Sequence, residues 1–252
     1  CVGGVLDLLG VACAAPRGNS ASAVSHRAAI AAEAVSIYKI RADKDGEKRK
    51  AMAAAFRKKY ECRDCWPEVV AVFDTVKALG IPVLTDIAGF VKLAFQNNVL
   101  SPKVKCGLQA LSIDENRKLF KPELWEDKNE TGLRHLEQVW FPGVHSDIGG
   151  GYGDDRSLAN VTLSWMVERL GTVAGLDLGL DVPFSHVNLL GTLHDERTGF
   201  GKLWLKGLRT NSLAKRDRNY SPLCKDLEIR FDKRGDYRPE AAKGHLRLAK
   251  YY

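Results

Sequence analysis

Two side chains in this 252-residue sequence are of the right types, at the right kind of position, for acid–base catalysis. His145 lies in Gln138-Val139-Trp140-Phe141-Pro142-Gly143-Val144-His145-Ser146-Asp147-Ile148-Gly149-Gly150-Gly151-Tyr152. Asp74 interrupts the apolar run from Glu68 to Val76 near its end. An imidazole can take and return a proton near neutral pH, and a carboxylate bonded to it fixes its tautomer and stabilises the imidazolium. An acid followed later in the chain by a histidine supplies two of the three members of a nucleophilic triad ordered Ser, Asp, His. The bland alternative is that a strand-end aspartate caps a turn and a loop histidine bonds to backbone.

The nucleophile is the missing part. No Gly-x-Ser-x-Gly elbow, or close variant, stands between a strand and a helix. Ser20 has no strand before it, Ser146 adjoins His145 and is badly placed to relay a proton to it, and no cysteine has the setting of a catalytic thiol. Asp147, Asp154 and Asp155 around the glycines could offer oxygen ligands to Ca²⁺ or Mg²⁺, but their spacing matches no EF-hand. A phosphate loop fits worse: the lysine is absent, the glycines do not follow the required order, and the neighbouring acids repel phosphate. Neither a metal nor another cofactor is expected.

These residues need a sheet to hold them. Glu68 to Val76 reads as a strand covered on both faces, since its apolar run is nearly continuous. Gln138 to Phe141 reads as a second strand, ended by Pro142-Gly143. Gly143, Gly149, Gly150 and Gly151 are the positions expected to shape the backbone of the loop beyond it. Helices are expected over Cys1 to Ala15, over Ala23 to Ile40 after a cap at Ser20 or Ser22, and over Glu47 to Tyr60, with a turn at Asp43 to Gly46. Met52, Phe56 and Tyr60 form a packing stripe on the third of these. Gly80-Ile81-Pro82 closes a loop, Ile87 to Phe95 is either helix or insertion, and Val104 to Phe120 looks helical. A polar loop covers Glu126 to Arg134, and Leu158 to Leu170 is a further helix. Asn188 to Thr192, Lys202 to Leu208 and Leu227 to Phe231 are short strands or parts of a lid. Strands alternating with helices indicate an α/β fold with a mostly parallel sheet.

Composition bounds the rest. A hydrophobic fraction of 45% and a charged fraction of 27% are those of a soluble globular protein, and no apolar run approaches the roughly 20 residues that span a bilayer. Six cysteines are too few for a disulfide scaffold, and Cys62-Arg63-Asp64-Cys65 lacks a second ligand pair for zinc. The net charge of +7 is uneven: residues from Arg197 onward hold 15 Lys and Arg against 6 Asp and Glu. That surplus suits an anionic membrane surface or simply a solvated face. With no nucleic-acid motif among its aromatics, no nucleic acid is expected as a partner.

Three blocks together resemble one family. They are Val72-Phe73-Asp74-Thr75-Val76-Lys77-Ala78-Leu79-Gly80, then Ala110-Leu111-Ser112-Ile113-Asp114-Glu115-Asn116-Arg117 with Phe120, then Gln138 to Tyr152, with the Trp165-Met166 helix as a fourth. They look like the α/β-hydrolase domain typified by bacterial type VI secretion phospholipase effectors. The resemblance covers about 1–178 and is most specific in Trp-Phe-Pro-Gly-Val-His-Ser-Asp-Ile-Gly-Gly-Gly-Tyr.

By resemblance His145 matches the catalytic histidine and Asp74 is the preferred acid, with Asp114 and Asp147 as competitors. The family's nucleophilic serine sits in a Gly-Phe-Ser-Arg-Gly-Ala elbow to which no position here corresponds. The chain is therefore expected to be the carboxy-terminal part of such a domain (1–178), lacking its first strands and inactive alone, with 179–252 a basic lid or extension. The implied activity is that of a serine esterase or lipase, phospholipase A-like, acting on a lipid or other ester. The effector would be cytoplasmic in the producing cell and delivered by a secretion system. The alternative is a non-catalytic binding or toxin-associated module on the same scaffold.

Overall fold

The computed structural model describes residues 2–76, 100–126, 135–179, 187–209 and 222–252. These fall into two units, one built from 2–70 and 100–105 and the other from the rest. Gly80 to Pro82, Ile87 to Phe95 and all but the first residue of the loop from Glu126 to Arg134 lie outside the described residues.

The first unit is helical. Helix α1 (Val2–Leu9) is shorter than the sequence suggests, because Val11 leaves it to exchange both backbone hydrogen bonds with Arg63. Helix α2 (Ala21–Tyr38) begins where expected, with Ser20 Oγ accepting the N–H of Ala23 at 3.2 Å. Helix α3 (Ala42–Lys59) runs through the expected turn, which survives only as a break at Asp45 (φ −127°, ψ 36°). Leu9, Ile30, Ile37, Ala53, Phe56 and Tyr60 make one apolar cluster. Met52, the first residue of the proposed stripe, is 38% exposed, so the buried side of α3 runs through Ala53 instead.

The second unit carries the sheet, all but the first two residues of β1, in the order β1 (Val69–Phe73), β2 (Cys106–Ser112), β3 (His135–Phe141). Strands β2 and β3 pair in parallel, from Cys106 opposite His135 to Ser112 opposite Phe141. Strand β2 corrects the helix expected over Val104 to Phe120. All seven of its residues are buried; a strand covered on both faces shows no alternation, and its Leu, Gln and Ala favour helices when taken alone. The outer side of β3 is covered at Trp140, whose N–H donates to the Pro222 carbonyl and whose carbonyl accepts the N–H of Cys224.

Beyond β3, helix α4 (His145–Gly149) and helix α5 (Ser157–Thr172) follow, α5 close to its expected limits. Leu158, Thr162 and Met166 face inward from α5, and Trp165 meets Phe141 edge-on with ring centroids 5.3 Å apart. The three late segments read as strands or lid are not strands. Asn188 to Thr192 is turns and bends, and Lys202 to Leu208 holds the end of a 3₁₀ turn (Gly199–Leu203) and a single bridge from Lys206 to Arg117. Leu227 to Phe231 opens helix α6 (Leu227–Lys233), with Leu227 and Phe231 buried one turn apart, a helical spacing that five residues of sequence do not separate from a strand.

Candidate active site

The site is assembled where the strands of the second unit end. Asp74 is the first residue after β1, and its backbone is left-handed (φ +43°), a conformation that aspartate tolerates better than most residues. Its N–H donates to the carbonyl of Ala110, and its Oδ1 accepts the N–H of Ser112, the last residue of β2, at 2.9 Å. The carboxylate is thus turned over the end of the neighbouring strand, with no exposed surface.

His145 arrives from β3. Gly143 has φ +127°, and a β-carbon there would stand 2.6 Å from Asp147 Cβ, so only glycine fits. The chain then enters α4 with His145 as its first residue; Asp147 Oδ2 accepts the N–H of Val144, and Gly150 closes the helix in the left-handed conformation (φ +83°). Part of the expected loop is thus a one-turn helix over His145–Gly149, with Gly143 just before its N-cap, Val144, and Gly150 as its C-cap. Replacing Gly143 by alanine should lower stability by about 2 kcal/mol or more, read as a fall in the thermal unfolding midpoint.

His145 Nδ1 lies 2.8 Å from Asp74 Oδ2. The other ring nitrogen, Nε2, takes no part in that bond, and 31% of the side chain is exposed. The N–H of His145 donates to Glu115 Oε2, and Phe120 meets the imidazole edge-on at 5.4 Å. Burial on its own would raise the Asp74 carboxyl. The charge of Arg209, together with hydrogen bonds from His145, Arg209 and Ser112, outweighs it and holds the group below its ordinary range.

The competing acids are engaged elsewhere. Asp114 accepts the N–H of Gly143 at 2.7 Å and the hydroxyl of Tyr237 at 2.9 Å. Its burial, aided by the charge of Asp147, outweighs those bonds and the pull of Arg230, raising it from 3.8 to about 6. A carboxyl raised on folding stabilises fully below its unfolded value and loses that contribution as pH rises through the folded one. Asp114→Asn should therefore gain on the parent by about 2–3 kcal/mol between pH 4 and pH 7, measured as the difference in urea midpoints at the two pH values. Asp147 pairs with His194 Nδ1 at 2.6 Å, and Asp154 with His194 Nε2 at 3.2 Å. Asp155 accepts the N–H groups of Ser157 and Thr192. These bonds use the three acids that the sequence offered to a cation, and no group of three or more His, Cys, Asp or Glu among the described residues could hold a metal ion.

An open cavity of about 640 Å³, lined in part by Tyr152, His194, Glu196 and Trp204, is linked to His145 through the Phe120 ring and through Ser146 rather than lined by the pair itself. Tyr152 stacks on His194 with centroids 3.6 Å apart, and Trp204 meets Phe120, the same ring that contacts His145, at 5.6 Å. Glu196 accepts the hydroxyls of Ser146 and Tyr152. Arg117 forks onto Glu115 at 2.8 Å through both Nε and Nη2 and lies over the Phe120 ring. None of Glu115, Arg117, His194, Glu196 or Arg209 was singled out for the site by the sequence. Glu115 and Arg117 sat inside an apparent helix. His194 to Glu196 are ordinary polar residues, and Arg209 is one of 15 cations in the basic region.

An open α/β sheet with an imidazole and a buried carboxylate meeting beyond its strand ends belongs to the α/β proteins whose ligands bind at that edge. Residues 1–169 match the family described as T6SS, phospholipase effector Tle1-like, catalytic domain, and the chain belongs to it. The family's function is of the lipase or phospholipase type, its substrates are lipids, and its members are effectors of a secretion system. No curated protein and no solved structure matches the chain at a significant level. No helix among the described residues is long and apolar enough to cross a membrane.

Proposed function

We propose that the chain supplies the acid and base of a phospholipase A-like reaction, acyl transfer from a phospholipid to a serine. Asp74 holds His145 with the proton on Nδ1, so Nε2 is the base that takes the serine's proton and later returns it to the leaving alcohol. The serine belongs to the elbow that the resemblance puts upstream of Cys1. What carries this reading is the 2.8 Å contact between His145 and a fully buried carboxylate held below its ordinary range. The cavity walled by Glu196 and Trp204, one residue removed from His145 through Ser146 and Phe120, is where the ester would lie, and no metal or cofactor enters the scheme.

The product set tests it. A polypeptide that includes the elbow, incubated with diacyl phospholipid vesicles, should release free fatty acid and lysophospholipid, identified by mass spectrometry. Diacylglycerol or phosphatidic acid as the main product would place the cleavage at phosphorus and sink the acyl-transfer mechanism. No cleavage at all would favour the non-catalytic module.

The basic region after Arg197 is proposed to face an anionic membrane. Arg209 and Arg230 are buried, so the attraction must come from its other cations. Binding to anionic vesicles is expected to weaken steeply as salt rises from about 0.05 to 0.5 M, measured by flotation; binding indifferent to both lipid charge and salt removes the idea.

A further inference from the structure

Arg209 lies outside the 1–169 span of the family match and is only 3% exposed, yet its guanidinium touches three parts of the site. Nη1 donates to Asp74 Oδ1 at 2.5 Å and to the carbonyl of Ser112 at 3.0 Å. Nη2 donates to Asp74 Oδ2 at 2.9 Å and to the carbonyl of Phe120 at 2.5 Å. We infer that Arg209 is the positioning residue of the Asp74–His145 pair: its fork fixes the carboxylate rotation that aims Oδ2 at His145 Nδ1, and its charge sets the field that the imidazole meets.

The geometry supports both parts. Each oxygen of Asp74 has two donors: Oδ1 takes Ser112 N–H and Arg209 Nη1, and Oδ2 takes His145 Nδ1 and Arg209 Nη2. A planar fork that engages both oxygens stops the carboxylate from turning about its last bond, which a lysine's single ammonium cannot do. The two carbonyls that Arg209 also grips lie at the end of β2 and at Phe120, so the acid is locked to the strand that bonds it and to the ring that packs on His145. Other charged groups near the imidazole are Glu115 at its N–H, Glu196, and Arg117 over Phe120. With Arg209 in place Asp74 belongs to a neutral pair. Without it, a lone buried anion would stand beside His145 and favour the protonated ring.

The catalytic consequence rests on the hydrolase reading, but the coupling can be read without turnover. In the 252-residue chain, labelled with ¹⁵N at histidine, the His145 ring signals are assigned by their loss in His145→Ala and followed across pH. The parent should show the proton on Nδ1. Arg209→Gln, checked for folding by circular dichroism, should move the titration midpoint of the ring upward by about one unit, while Arg209→Lys should move it far less. A folded Gln variant that titrates like the parent overturns the inference, since a merely structural arginine would leave the ring's titration alone. Should the Gln variant not fold, the parent still decides it. The ¹³C carboxyl signal of Asp74 must stay in its ionised position as pH falls to its ordinary value of 3.8, and titration at or above that value overturns the inference. A shifted midpoint combined with hydrolysis that survives His145→Ala would instead overturn the catalytic reading and leave the Arg209 clamp standing.

Discussion

His145→Ala is expected to lower phospholipid hydrolysis by about 10³–10⁴-fold, in a polypeptide that carries the serine elbow, with little change in stability. The two effects separate because of how the ring is held. Asp74 keeps Ser112 and Arg209 as partners when the imidazole is removed, so no buried charge is left alone. The ring is also partly exposed, so the apolar area lost is small. A base used only as the proton moves should lower kcat and kcat/KM together. Initial rates of fatty acid release, set beside a thermal melt, check both halves. If hydrolysis stays within tenfold of the parent, the base has been assigned to the wrong histidine. His194, bonded to Asp147 and Asp154, would then be the next to replace.

Asp74 and His145, which the fold brings within 2.8 Å of each other, were legible as candidates because strand ends leave local marks. Asp74 interrupts an apolar run, and Pro142-Gly143 breaks another two residues before His145. Such marks give position along the chain but not partners. Asp74, Asp114 and Asp147 all follow or adjoin predicted apolar segments, and only the fold shows which of them meets the His145 ring. The left-handed backbone at Asp74 turns its carboxylate onto β2, whereas Asp114 is turned toward Gly143 and Tyr237. The helix wrongly expected over Val104 to Phe120 hid the most. With β2 unseen, neither the Ser112 N–H that anchors the acid nor Glu115 at the His145 backbone could be placed. Arg209 had no local mark at all: it meets Asp74 across 135 positions of sequence, and a single buried cation looks like its exposed neighbours until the chain is folded.

Asp74→Asn should do two kinds of damage, and they can be pulled apart. An amide at this position either donates to Nδ1, leaving the proton on Nε2 where it blocks the base, or accepts from it without the charge that stabilises the imidazolium. Activity should fall by about 10³–10⁴-fold in either case. The same change leaves the guanidinium of Arg209 buried without a counter-charge. Breaking one side of a buried ion pair costs about 3–5 kcal/mol, a large share of the roughly 5–15 kcal/mol that holds a domain together. Because the Asp74 carboxyl is held below its ordinary value, its stabilisation in the parent is present above that value and is lost as pH falls through the folded one. The Asn variant should therefore lie furthest below the parent at neutral pH and approach it in acid. The double variant Asp74→Asn, Arg209→Met removes both charges, and its stability should recover most of the loss, since two neutral partners avoid the uncompensated charge. Its activity should not recover. Urea midpoints at pH 7 and fatty acid release, measured on the parent, both single variants and the double, form the cycle. If activity returned along with stability, Asp74 would be only the counter-ion of a structural arginine, and the role of orienting His145 would have to be given up.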